Sequence, residues 1–241
     1  MKTKLTKLFS TAIFIFMVLN VPVLAYLYSF NAVAFDSDFY KKEFLKHDVY
    51  LTLQSYNIDI INKNVLSYLA GSAAAIENDF FNEREKTHFA DVKALIEKVL
   101  ALYYYSAIIF LLLLSLQFCL SGFDVKKAAK KVFSALALGS ILTLLTAFLL
   151  FAVANFNFDA AFDIFHNSFF AAGTYTFAPE FEKIVLLYPE KLFLDIFAKI
   201  IINAIISSII IFALSASLLL IFFGSKFKVF FWKNFDGKSN K

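Results

Sequence analysis

Four stretches of this chain carry no charged side chain: Leu8 to Phe35, Val99 to Phe123, Val132 to Phe158 and Ile200 to Ser225. Each exceeds the ~20 residues that a helix needs to cross the hydrocarbon core of a bilayer, and helix satisfies every backbone polar group without water. The pattern therefore predicts four transmembrane helices. Between the first and second runs, residues 36–98 alternate apolar and polar positions at helical spacing, too long and too patterned for a bare loop. Ser37-Asp38 can cap a short helix ending at Lys46, and Asn57 another in which Ile58, Ile61, Val65 and Leu69 share a face before Gly71 stops it. Asn82-Glu-Arg-Glu85 has the spacing of a capping box, and the helix it opens, with His88, Val92, Leu95, Val99 and Leu102 on one stripe, continues into the second span. His88 would then stand two to three turns above the membrane.

Charge sets the expected orientation. The N-terminus, the loop 124–131 and the tail after Ser225 hold 12 of the 23 basic residues and 2 of the 19 acids. Lys and Arg concentrate in cytoplasmic segments, so both termini are expected inside. The segments 36–98 and 159–199, with a net charge of −6, face out, and the overall +4 is no sign of nucleic-acid binding. The expected class is an all-α membrane protein, four transmembrane helices with a mostly helical extracytoplasmic cap. It divides into a first transmembrane helix with a cytoplasmic N-terminus (1–35), the cap (36–98), and the second and third transmembrane helices joined by a short basic loop (99–158). An extracytoplasmic aromatic segment (159–199) and a fourth transmembrane helix with a basic tail (200–241) complete it.

Further features refine this picture. Val23-Leu-Ala25 resembles a signal-peptide cleavage site, but the apolar run is long for one, and an uncleaved helix is the expectation, kinked at Pro22. Cys119, the one cysteine, excludes an intrachain disulfide or a Cys-based zinc site and is expected to pack as a small apolar residue. Small residues along the fourth span, Ala204, Ser207, Ser208, Ala213, Ser215, Ala216 and Ser217, suit close helix packing. Tyr103-Tyr-Tyr105 opens the second span as an interfacial belt.

Candidate chemistry sits in the outer segments. Asp159 can cap a short helix that places Phe162, Phe165, His166 and Phe169 on one face. Asp163 precedes His166 by three residues, and Asp91 follows His88 by three, so each carboxylate could orient its imidazole and raise its basicity. With six glycines, no phosphate-binding loop and no G-x-S-x-G elbow, histidine acid–base chemistry in an aromatic, lipid-accessible pocket is what remains. A metal site on His88, His166 and an acid stays open, without H-E-x-x-H spacing behind it.

Glu85-Lys-Thr-His88-Phe-Ala-Asp91 before a span, then Phe165-His166-Asn-Ser-Phe169-Phe170, Phe177-Ala-Pro179 and Leu187-Tyr-Pro189-Glu190, resemble the lipoprotein intramolecular transacylase family. That resemblance implies an acyltransferase moving an acyl chain from the sn-2 ester of a diacylglyceryl-modified lipoprotein to the amino group of its N-terminal cysteine. His88 and His166 would be catalytic, Asp91 and Asp163 orienting. Tyr103, Phe165, Phe169, Phe170, Tyr175 and Phe177 would form the acyl-tolerant wall. It implies no cofactor and no metal, lipoprotein and membrane-lipid partners, no nucleic acid, no obligate protein partner, and a site on the outer face of the cytoplasmic membrane. Where the family carries Asn-Asp, Trp and Asp-Pro, this chain has Ala172-Gly173, Tyr175 and Ala178-Pro179. Two rival functions are a metal-assisted lipid hydrolase and a non-enzymatic lipoprotein- or lipid-binding factor on the same fold.

Overall fold

The computed structural model describes residues 2–171 and 173–224, so Ala172 and the basic tail after Ser225 lie outside the described residues. Those described form nine helices and no strand: α1 (Lys2–Ala34), α2 (Ser37–Lys46), α3 (Val49–Thr52), α4 (Ile58–Leu69), α5 (Glu83–Leu120), α6 (Val125–Phe156), α7 (Phe158–Phe169), α8 (Ile184–Leu187) and α9 (Glu190–Phe223). Four of them, α1, α5, α6 and α9, are long and apolar enough to cross a membrane, as the uncharged runs require. Their surfaces expose large apolar side chains, among them Phe16, Leu111, Phe148 and Ile221, which suits lipid as the solvent. α1 stays helical through Pro22, and α5 runs unbroken from its polar start into its apolar half.

The chain groups into two compact units. The first comprises the described residues of Met1–Ala25, Tyr105–Thr146 and Ala204–Lys241. Here Gly139 of α6 meets α1 closely: a Cβ at this position would lie 2.5 Å from Val21 Cβ. Ser10 and Gln117 exchange hydrogen bonds at 3.1–3.2 Å, which lets a fully buried amide sit among apolar helices, and Lys131 Nζ donates to the same Ser10 hydroxyl. Of the small residues on α9, Ala204, Ser208 and Ser215 are buried on one stripe, whereas Ala213 and Ser217 are exposed. Cys119 also faces outward rather than packing inside, where a thiol against lipid costs little.

The second unit comprises Tyr26–Tyr104 and Ala147–Asn203. Its core gathers Tyr40, Phe44, Val49, Ile58, Val65, Phe80, Phe81, Phe89, Leu187 and Leu192. Tyr188 sits among three rings of this core, 6.1–6.2 Å from those of Tyr40, Phe44 and Phe89, and its hydroxyl donates to Asn62 Oδ1 at 2.8 Å. A partly buried Tyr with a satisfied hydroxyl locks the Leu187-Tyr-Pro189 segment between helices that are far apart in sequence.

Helix starts follow local hydrogen bonding, and two differ from expectation by a residue or two. α2 is capped by Asp36, whose carboxylate accepts from Asp38 N and Phe39 N, because the charged residue one step earlier reaches both amides. α7 is capped by Asn157 rather than Asp159, which falls in the first turn. Asn57 caps α4 as expected, and Gly71, at φ +78°, closes it in the left-handed conformation that glycine adopts freely. At α5 the capping box is complete: Glu85 N donates to Asn82 Oδ1 and Asn82 N to Glu85 Oε2. The other Glu85 oxygen accepts from Ile184 N at 2.7 Å, so this buried carboxylate starts both α5 and α8.

Glu85→Ala leaves two amides without their charged acceptor and is expected to cost about 3 kcal/mol, read as a lowered unfolding midpoint in detergent, with Glu85→Gln intermediate. Gly139→Ala forces α1 from α6 and is expected to cost about 1–3 kcal/mol in the same assay.

Candidate active site

α5 presents His88 at its sixth residue, before the apolar run begins, and α7 presents His166 near its end. Both imidazoles are buried, at 7% and 8% exposure. Phe170, just past the end of α7, packs against both: its ring centroid lies 5.0 Å from that of His88 and 5.5 Å from that of His166. Phe177 closes His88 from another side at 5.2 Å, and Phe162 and Tyr175 flank His166 at 4.0 and 5.2 Å. The Tyr175 hydroxyl donates to Asn167 Oδ1 at 2.6 Å, which ties the loop after α7 back onto that helix.

Burial governs the electrostatics. Removing an imidazolium from water is costly, so burial, helped by the neighbouring His166, pushes His88 from 6.5 down to about 4. Burial lowers His166 as well, opposed by its bond to the Phe162 carbonyl and by Asp163. At neutral pH both rings are neutral. They differ in what holds them. His166 Nδ1 lies 2.8 Å from the Phe162 carbonyl, which can only accept, so the proton is on Nδ1 and the Nε2 lone pair is free. His88 Nδ1 is buried without a hydrogen-bond partner.

The two aspartates expected to orient the imidazoles make no hydrogen bond to them. Asp91 is exposed while His88 is buried, and a carboxylate keeps its hydration where it can. Asp163 acts on His166 only through space, since the backbone carbonyl one turn back has taken Nδ1, and it bears also on Glu190. Of the expected aromatic wall, Phe170, Tyr175 and Phe177 are at the imidazoles. Phe165 touches the His166 ring at 5.4 Å but, like Phe169, turns much of its surface outward. Tyr103 packs its ring at a tilt against that of Tyr104, 5.4 Å away, and is not among the rings around the two histidines.

A residue that sequence reasoning passed over organises the loop. Arg84 is the one arginine in the chain, one turn before His88. Its guanidinium pairs with Glu182, donates to the carbonyls of Gly173 (2.9 Å) and Thr176, and lies 4.8 Å from the centre of the Phe177 ring. Glu182 is buried and accepts from Ala178 N as well; that amide and the guanidinium hold its carboxyl below the usual range. Gly173 makes its turn at φ +84°. Arg84 thus presses Phe177 onto His88. The signal available in sequence was its uniqueness and its i−4 spacing from a candidate histidine.

The profile of the lipoprotein intramolecular transacylase Lit family matches residues 7–193. Among solved structures, the membrane integral lipoprotein intramolecular transacylase Lit from Bacillus cereus is similar, with TM-score 0.74 and 21% identity over 88% of this chain and 96% of that one. A form of the same protein with a histidine replaced by alanine gives TM-score 0.75 and 20% identity over 91% and 97%. Comparison with curated protein sequences yields no match. A four-span helical membrane fold shared over nearly all of both chains, with a family match over most of this one, places this chain in the lipoprotein intramolecular transacylase Lit family.

Proposed function

We propose that this protein transfers an acyl chain from the sn-2 glyceryl ester of a diacylglyceryl-modified lipoprotein to the α-amine of its N-terminal cysteine, with His88 and His166 as the acid–base pair. The observation that carries this reading is the pair itself: two buried, neutral imidazoles sharing one phenylalanine ring, in a chain of this family. Exchanging an ester for an amide within one molecule is downhill and needs no nucleotide, which suits an outer membrane face. The positive-inside pattern of the loops supports that placement.

The chemistry follows from how each ring is held. The amine attacks the ester carbonyl, and His166 Nε2, whose lone pair is free, takes the proton as the N–C bond forms. Neutral His88, poor at taking a proton with its pKa near 4, offers N–H to the oxyanion of the tetrahedral intermediate. As the C–O bond breaks, the proton held by His166 passes to the departing glyceryl oxygen, so one proton moves from nitrogen to oxygen and the enzyme returns unchanged. Phe170, Tyr175 and Phe177 exclude water, which favours the amine over hydrolysis, and Phe165 and Phe169 offer apolar surface for acyl chains. Proximity supplies much of the barrier reduction, since amine and ester belong to one substrate.

A metal-assisted hydrolase would need a third donor beside the imidazoles; among the described residues, the three-donor cluster lies at Glu43, His47 and Asp195 instead. A purely lipid-binding role would not require two neutral histidines against one phenylalanine ring.

Mass spectrometry of a lipoprotein's N-terminal peptide, from host cells without competing N-acylation, is expected to show N-acyl, S-monoacylglyceryl cysteine with wild-type protein. His88→Ala or His166→Ala should lower its formation on the order of 10²–10⁴-fold; a double variant that still forms it would sink the histidine assignment. Because His88 binds protons less readily folded than unfolded, its contribution to stability is present above pH 6.5 and lost as pH falls toward about 4. The unfolding midpoint should therefore drop across that window, and less steeply in His88→Phe. Arg84→Lys keeps the charge but loses the fork, so amide exchange across residues 173–182 should quicken and product formation fall roughly tenfold.

A further inference from the structure

His47, the third histidine, has no part in the site above. Near the end of α2 it stands one turn after Glu43, and the second turn of α9 brings Asp195 to both. His47 Nε2 lies 2.6 Å from Asp195 Oδ2 and 3.7 Å from Glu43 Oε2, and one donor atom from each residue falls within 4.8 Å of the others. The side chains are 12%, 22% and 14% exposed for His47, Asp195 and Glu43. Glu43 Oε2 is itself fully buried and receives no hydrogen bond. Its charged neighbours are ion-pair contacts, Lys46 Nζ at 3.5 Å and His47 Nε2 at 3.7 Å, and a bound cation would be a closer partner.

We propose that Glu43, His47 and Asp195 form a binding site for a first-row divalent transition cation, with Zn²⁺ as its type, that joins α2 to α9. Two carboxylate oxygens and one imidazole nitrogen are a borderline donor set, and the imidazole favours such an ion over Ca²⁺ or Mg²⁺. Bonds of ~2.0–2.2 Å at tetrahedral angles place donors about 3.3 Å apart. The separations here, 2.6 and 3.7 Å with a limit of 4.8 Å, lie on both sides of that spacing, so side-chain rotations of under an ångström or so complete it. The ion would displace the proton from His47 Nε2 to Nδ1, and solvent would fill the fourth position.

The remaining charged group at the cluster is Lys46, whose Nζ lies 2.6 Å from Asp195 Oδ2 and 3.5 Å from Glu43 Oε2. It holds the cation's place. With 54% of its side chain exposed it can swing into solvent, and a divalent ion replacing it neutralises both carboxylates, where one ammonium leaves the pair with a negative charge.

The test uses full-length protein in detergent, stripped of metal and titrated with Zn²⁺ by calorimetry, with bound metal counted by elemental mass spectrometry. One Zn²⁺ per chain and a raised unfolding midpoint are expected. Binding should be abolished in His47→Ala and in Glu43→Gln but kept in a His88→Ala, His166→Ala double variant. Lys46→Ala removes a competitor and no donor, so it should bind Zn²⁺ severalfold more tightly. This variant decides the matter if His47→Ala fails to fold. Absence of stoichiometric binding by wild type, binding that survives His47→Ala or disappears with His88 and His166, or unchanged or weaker affinity in Lys46→Ala would each overturn the site.

Discussion

One buried carboxylate, that of Glu85, fixes where the functional part of this protein can be. It completes a capping box at the start of α5 and, through its second oxygen, accepts from the first amide of α8. The arrangement joins chain segments 99 residues apart at a point where both helices present bare N–H groups. A carboxylate is the right group for this task, since it accepts from both and opposes the positive ends of two helices. Arg84, beside it, holds the intervening loop from the other side through Glu182 and two carbonyls. Consecutive residues of opposite charge thus fold residues 173–184 onto α5, and His88 gains its cover from that fold.

That cover shapes the chemistry. An exposed histidine would be partly protonated near neutrality and would trade its proton with bulk water. Burial beneath Phe170, Phe177 and Tyr175 keeps both rings neutral, which is the form that can take a proton or donate one to an oxyanion. The cost is borne by the surroundings, and His88 Nδ1, buried without a partner, marks it. Tyr175, at the position where the resemblance led one to expect Trp, retains an aromatic face for His166 and adds a hydroxyl that fastens the loop to Asn167.

Elsewhere the demands of lipid and of packing separate cleanly. In the first unit, contact is made by small side chains, and the buried Gln117 amide finds its partner in Ser10, whereas Asn20 Oδ1 and the Ser140 and Ser208 hydroxyls are buried without a hydrogen bond. In the second, aromatic rings fill the core, and Tyr188 satisfies its hydroxyl on Asn62. The first has no hydrophobic driving force between helices, since lipid is as apolar as they are; the second has water to escape from.

Sequence alone determined the four spans, because an uncharged run of more than twenty residues has one inexpensive conformation in lipid. It also determined the caps at Asn57 and Asn82, which act within three residues, and pointed to His88 and His166 through their motifs. The tertiary structure decided what bridges long separations in the chain. Arg84 meets Glu182 across 98 residues and His47 meets Asp195 across 148, distances at which no local spacing carries information. It also decided among partners within reach: Asp91 stayed in water, and His166 took the Phe162 carbonyl in place of Asp163. Local hydrogen bonds are set by spacing, whereas burial, which chose these partners and shifted the imidazoles, exists only once distant segments have closed over one another.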